Sequence, residues 1–114
     1  MLIDRMFIHT KVFDKTWTAA GCNDDDLIEL QRTICENPKG PPVIRGTGGV
    51  QKIRVALEGR GKRGGARVLF VDFESKGVVG LLYAYPKSEK TDISNEERKT
   101  LKMMVEHIKE NWRD

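Results

Sequence analysis

The stretch from Gly46 to Phe73, G-T-G-G-V-Q-K-I-R-V-A-L-E-G-R-G-K-R-G-G-A-R-V-L-F-V-D-F, constrains the fold of this chain more than any other. It alternates, breaks on glycines and then runs apolar, which is the pattern of two strands joined by a loop. From Val50 to Leu57, Ile53, Val55 and Leu57 fall on one side, and Lys52, Arg54 and Ala56 fall on the other. The reason is that successive side chains of a strand point to opposite faces. Arg67 to Phe73 is apolar enough for a central strand. The segment between them, E-G-R-G-K-R-G-G, is too rich in glycine for a helix and too basic to be buried. From Arg45 to Arg67 the cations are Arg45, Lys52, Arg54, Arg60, Lys62, Arg63 and Arg67, against Glu58 alone. Such a local excess suits a polyanionic partner.

The net charge hides this asymmetry. It is only +3, from 20 Lys+Arg and 17 Asp+Glu, because the acids gather elsewhere, at Asp24 to Asp26 and at Glu96 and Glu97. With 114 residues the chain can bury one core, so a single domain over residues 1–114 is expected. Hydrophobic content of 39% beside 32% charged residues excludes global disorder. The start, M-L-I-D-R-M-F-I-H-T-K, is not a secretory signal, and no run approaches the ~20 apolar residues of a membrane span. A cytoplasmic protein with no membrane partner is expected. Cys22 and Cys35 lack zinc-ligand spacing and are expected as reduced thiols, so no metal and no small-molecule cofactor is foreseen.

Taken in order, Leu2 to His9 reads as a first strand. Thr10 is expected to cap a short helix carrying Val12, Phe13 and Trp17, and Gly21 breaks it. Asn23 and the three aspartates after it open a second helix, with Leu27, Leu30, Ile34 and Cys35 at helical spacing and Asn37-Pro38 at its end. The pair should form a hairpin covering one sheet face. Lys39 to Gly49 is an irregular connector. After the basic hairpin, Glu74-Ser75-Lys76-Gly77 turns the chain into a strand from Val78 to Tyr85, and short turns predict antiparallel neighbours. Ser94-Asn95-Glu96-Glu97 is a capping box, followed by Leu101, Met104, Val105, Ile108 and Trp112 on one helical face. The expected fold is therefore α+β: an antiparallel sheet of about four strands, an N-terminal helical hairpin and a C-terminal helix.

Several pieces carry a family resemblance: E-N-P-K-G, V-I-R-G-T-G-G-V-Q-K-I-R-V-A, G-R-G-K-R-G-G-A-R-V-L-F and L-L-Y-A-Y-P-K-S-E-K-T-D-I. Together with the element order they resemble the RelE superfamily of bacterial toxins, its HigB branch above all, over roughly Asp24 to Ile108. The resemblance implies a ribosome-dependent endoribonuclease that cuts mRNA in the decoding site. It also implies an antitoxin partner, expected to contain a helix-turn-helix part.

The chemistry of the residues is compatible with that. RNA is cut without metal or cofactor when its own 2′-OH attacks the neighbouring phosphorus, provided that protons move and the extra phosphate charge is stabilised. By the resemblance, Lys52, Arg54, Arg67 and Lys87 are the candidate catalytic residues. Lys52 and Arg54 hold the paired basic positions and Arg67 the phosphate-binding arginine. Lys87 lies in the basic segment after the last strand. Ser88 and Ser94 stand where RelE has a further arginine and a stacking tyrosine, so no proton donor carries over. Arg45, Arg60, Lys62, Arg63 and Lys90 are candidate RNA-backbone contacts, and Tyr83 and Tyr85 candidate base-stacking residues. Gly48-Gly49 and Gly64-Gly65 lack the lysine-serine pair of a nucleotide-phosphate loop. His9 and His107 read as structural or solvent residues. Two other functions fit the same face: a ParE-like inhibitor of DNA gyrase, and a non-catalytic RNA-binding module.

Overall fold

The computed structural model of the protein describes residues 3–56, 65–88 and 92–111. Strand β1 (Met6–His9) leads into helices α1 (Lys11–Ala19) and α2 (Asp24–Glu36). Strands β2 (Val50–Val55), β3 (Ala66–Phe73) and β4 (Val78–Pro86) follow, and helix α3 (Asn95–Asn111) comes last. A single 3-10 turn, Glu74–Lys76, joins β3 to β4 and ends on Gly77 at φ 67°, in the left-handed region that glycine enters without a Cβ penalty. Arg60, Lys62, Arg63, Lys90 and Trp112 lie outside the described residues.

Each helix starts where its capping chemistry allows. Thr10 Oγ1 accepts from Phe13 N at 2.9 Å. Asn23 and Asp26 exchange side-chain and backbone bonds of 2.8 and 2.9 Å, with Asp24, Asp25 and Asp26 at the positive end of α2. Ser94 and Glu97 form the same reciprocal pair at 2.9 and 3.1 Å. Ser94 is thus held by the α3 cap, which accounts for a serine at that position.

The sheet order is β1-β4-β3-β2. The three later strands are antiparallel, but β1 runs parallel to β4, with Met6 opposite Val78. The sheet is thus mostly antiparallel, as expected, with one parallel pair at its β1 edge. Local pattern cannot show it, because the partner of β1 lies beyond two helices and two strands.

The two sheet faces bury separate cores. Phe13, Trp17, Leu30 and Ile34 of α1 and α2 pack on Val68, Phe70, Val79 and Leu81, with Ile53 and Val55 at the margin. Leu101 and Val105 of α3 pack on Val50, Leu69, Val71, Leu82 and Tyr85. Burying each such large apolar side chain contributes roughly 1.5–3 kcal/mol. Val12, expected with Phe13 and Trp17, instead turns outward and is 46% exposed. Gly80 sits under α3, where a Cβ would press on Val71 and Ile108.

A bulge sets the phase of β4. Leu69 pairs with Tyr83 but Phe70 pairs with Leu81, so Leu82 is an extra residue. Tyr83 and Tyr85 are thereby brought to the α3 side, which unbroken alternation from Val78 would deny them. Past the end of β1, the backbone of β4 is satisfied by α1 instead: Thr10 Oγ1 donates to Leu82 O and Thr16 Oγ1 accepts from Ala84 N, both at 3.0 Å.

Opposite the cationic end, Arg5 and Asp72 form a buried two-pronged ion pair at 2.7 and 3.2 Å. Its hydrogen bonds hold the Arg5 guanidinium above its ordinary, already very alkaline, pKa. Among the described residues, no helix is long and apolar enough to cross a membrane.

Candidate nucleic-acid interface

Strand register does most of the work here. Arg54 on β2 pairs with Arg67 on β3, which pairs with Tyr85 on β4, and Lys52 pairs with Leu69, which pairs with Tyr83. Directly opposed residues share a face, so Lys52, Arg54 and Arg67 project to one side of the sheet. They lie beyond the part of that face that α3 covers. The three cations line one open depression of about 520 Å³, whose wall also includes Thr33, Asn37, Pro41 and Ile53.

No ion pair among the described residues includes Lys52, Arg54 or Arg67; the ion-paired carboxylates Asp14, Glu36, Asp72, Glu74 and Asp92 engage Arg5, His9, Arg32, Lys39 and Arg98 instead. Arg67 Nε is shielded from solvent and has no hydrogen-bond partner among the described residues. A buried donor left unmade costs roughly 1–3 kcal/mol, which an incoming acceptor relieves.

The wall is built from the edge of β2 itself. Residues 38–49 wrap that edge through Lys52 N to Pro42 O at 3.0 Å, Ile44 N to Val50 O at 2.7 Å and a bridge between Val43 and Gln51. Buried Gln51 donates through Nε2 to Pro38 O at 2.7 Å and Pro41 O at 3.1 Å. Buried Thr47 accepts from Val50 N and donates to Ile44 O. Sequence reading missed both; a glutamine on the apolar side of a strand is the signal that was available. Gly65, at φ 73°, follows; a Cβ there would overlap the Val55 carbonyl.

Lys87 comes to the same end of the sheet. Its N–H donates to Gly65 O at 3.1 Å, next to the pair of Ala66 with Pro86. Arg45 is exposed on the wrapping loop and meets Lys52 around a second depression. The tyrosines divide. Their rings are 5.9 Å apart, but Tyr85 is 1% exposed within the α3-side core, which fits packing rather than base stacking. Tyr83 is half-buried and lines a groove with Leu69, Ser94 and Glu97. His9 contacts Asp14 and Phe13, and His107 contacts Asn111; neither lines the cationic depression. Cys22 is buried and Cys35 half-buried; neither is in a disulfide, and burial pushes the Cys35 thiol above its ordinary pKa.

Fold and site define a small α+β protein with an open depression lined by Lys52, Arg54 and Arg67. A model of the family described as RelE toxin of the RelE/RelB toxin–antitoxin system matches residues 5–113, and the chain belongs to that family. Membership implies an antitoxin partner. The fold is similar to that of E. coli toxin RelE, solved as a double arginine mutant in the free state. The TM-score is 0.58 at 14% identity, over 90% of this chain and 98% of that one.

Proposed function

We propose that this toxin is an mRNA endoribonuclease acting on translating ribosomes in the cytoplasm, of the HigB type that its sequence resembles. The observation that carries the reading is the pairing of Arg54 with Arg67 on the face that Lys52 shares, with no carboxylate bound to any of them among the described residues. Three uncompensated cations on a rigid sheet suit a phosphate whose charge grows during reaction.

In this mechanism Arg54 and Arg67 hold the non-bridging oxygens of the scissile phosphate. Lys52, reacting as the neutral amine, takes the proton of the 2′-OH as its oxygen bonds to phosphorus, and carries positive charge from then on. The bond from phosphorus to the 5′-oxygen breaks, and that oxygen takes a proton from solvent water as it leaves. The products are a cyclic phosphate and a free 5′-hydroxyl. Lys87, at the same end of the sheet, adds positive charge beside the leaving strand. Arg45, Arg60, Lys62, Arg63 and Lys90 contact RNA backbone, and Tyr83 stacks on a base. The antitoxin, with a helix-turn-helix part, neutralises the toxin.

The test is transcript-end mapping in a reconstituted translation reaction, beside a gyrase supercoiling assay. Cuts within translated codons that vanish with Arg54→Ala are expected. Intact transcripts with gyrase inhibited would overturn the proposal in favour of a ParE-like role. RNA binding without cleavage or growth arrest would leave a passive RNA-binding module.

A further inference from the structure

The depression holding Arg54 and Arg67 has a neighbour. It measures about 260 Å³ and is lined by Arg45, Lys52, Arg98, Asp92 and Ile93. Lys52 and Pro42 line both, so the half-buried lysine forms the divide between them. We propose that Arg98 and Arg45 form a second phosphate seat, so that the protein holds two consecutive phosphates of one RNA strand on either side of Lys52. This rests on the reading that the first seat takes an RNA phosphate.

Arg98 is already in position. Its Nη1 donates to Arg45 O at 2.8 Å and its Nε to Ile93 O at 3.4 Å, which pins the first turn of α3 to the wrapping loop. A guanidinium has five N–H groups, so these two bonds leave donors for a further acceptor. Asp92 Oδ1 lies 4.0 Å from Arg98 Nη2, but that carboxylate is 84% exposed and also accepts from Ile93 N. Water screens so open a pair, and a phosphate can displace it. Three cations thus surround the depression against one weakly held carboxylate. The backbone anchors spare Arg98 much of the ordering cost on binding. A role confined to bolting α3 to the loop explains neither Arg45 beside it nor the continuity with the first seat.

The experiment measures the affinity of a 2′-O-methyl RNA tetranucleotide, which cannot be cut, as a function of salt. Each lost phosphate contact lowers the slope of log affinity against log salt by ~0.7 for a single strand. Arg98→Gln and Arg45→Ala should each flatten the slope by about that amount, while Arg98→Lys keeps it near wild type. Among the described residues Arg45 takes part in hydrogen bonds only through its carbonyl, so Arg45→Ala should melt as wild type does and stands even if Arg98→Gln fails to fold. An unchanged slope in Arg45→Ala, with a flattened one in Arg54→Ala, overturns the second seat. An unchanged slope in Arg54→Ala as well means that the first seat, and the function built on it, is wrong.

Discussion

Arg54 and Arg67 stand directly opposite each other on neighbouring strands, two guanidinium groups on one face with no carboxylate bound to either among the described residues. Like charges so placed weaken a sheet by roughly 0.2–1 kcal/mol. The fold tolerates this contact without needing it. Arg54→Ala and Arg67→Ala are therefore expected to unfold no earlier than wild type, and slightly later in low salt, while mRNA cleavage falls by about 100-fold or more. Thermal melts beside single-turnover cleavage check both halves. A variant that loses stability and activity together would show these arginines to be structural.

Tyr83 and Tyr85 should fail differently. Tyr85 fills the core under α3, so Tyr85→Ala is expected to cost about 3 kcal/mol or more in denaturant unfolding. Tyr83 is half-buried at the groove, and Tyr83→Ala should weaken RNA binding while Tyr83→Phe preserves it. Equal affinity in the two Tyr83 variants would remove stacking from the account.

Gln51→Ala cuts both bonds to the Pro38 and Pro41 carbonyls and leaves those acceptors buried beside a gap. A loss of roughly 1–3 kcal/mol is expected. The freed wall should also raise the exchange rate of Lys52 N–H, which is bonded to Pro42 O. Hydrogen exchange at that amide is the specific readout, since global unfolding would affect all amides alike.

Much of this architecture is legible in the residues. Alternation assigns Lys52 and Arg54 to the face opposite Ile53 and Val55, and capping chemistry marks the starts of all three helices. Register is another matter. That Arg54 meets Arg67 depends on the length and path of the loop between them, and a one-residue slip would turn every side chain over. The bulge at Leu82 is equally silent, because nothing in L-L-Y-A-Y says which leucine is surplus; its effect is to carry Tyr83 and Tyr85 across the sheet. Arg98 escapes notice for a related reason. It reads as one more charge on a solvated helix until the loop bearing Arg45 is folded against it.

The Cys35 thiol gives a pH test. Burial raises its pKa, outweighing the lowering effect of Arg5, so the folded state keeps the proton where the unfolded chain has released it. This contribution to stability is complete below the ordinary value of 9.0 and is lost as pH rises through the higher folded value. Cys35→Ser should flatten the decline of stability across that alkaline window. At neutral pH, alkylation of native Cys35 should be much slower than in urea; equal rates would contradict the burial.

The parallel docking of β1 on β4 bears on how the toxin is born. Met6 must wait for Val78, so the earliest strand to leave the ribosome has no partner until the last one follows. Lys52, Arg54 and Arg67 have all been synthesised by then, on a sheet still lacking one of its two central strands. Nascent chains arrested before β4 emerges should accordingly be digested by protease, and longer ones protected; early protection would refute this order. A protein assembled this way withholds its working shape until β4 has been made.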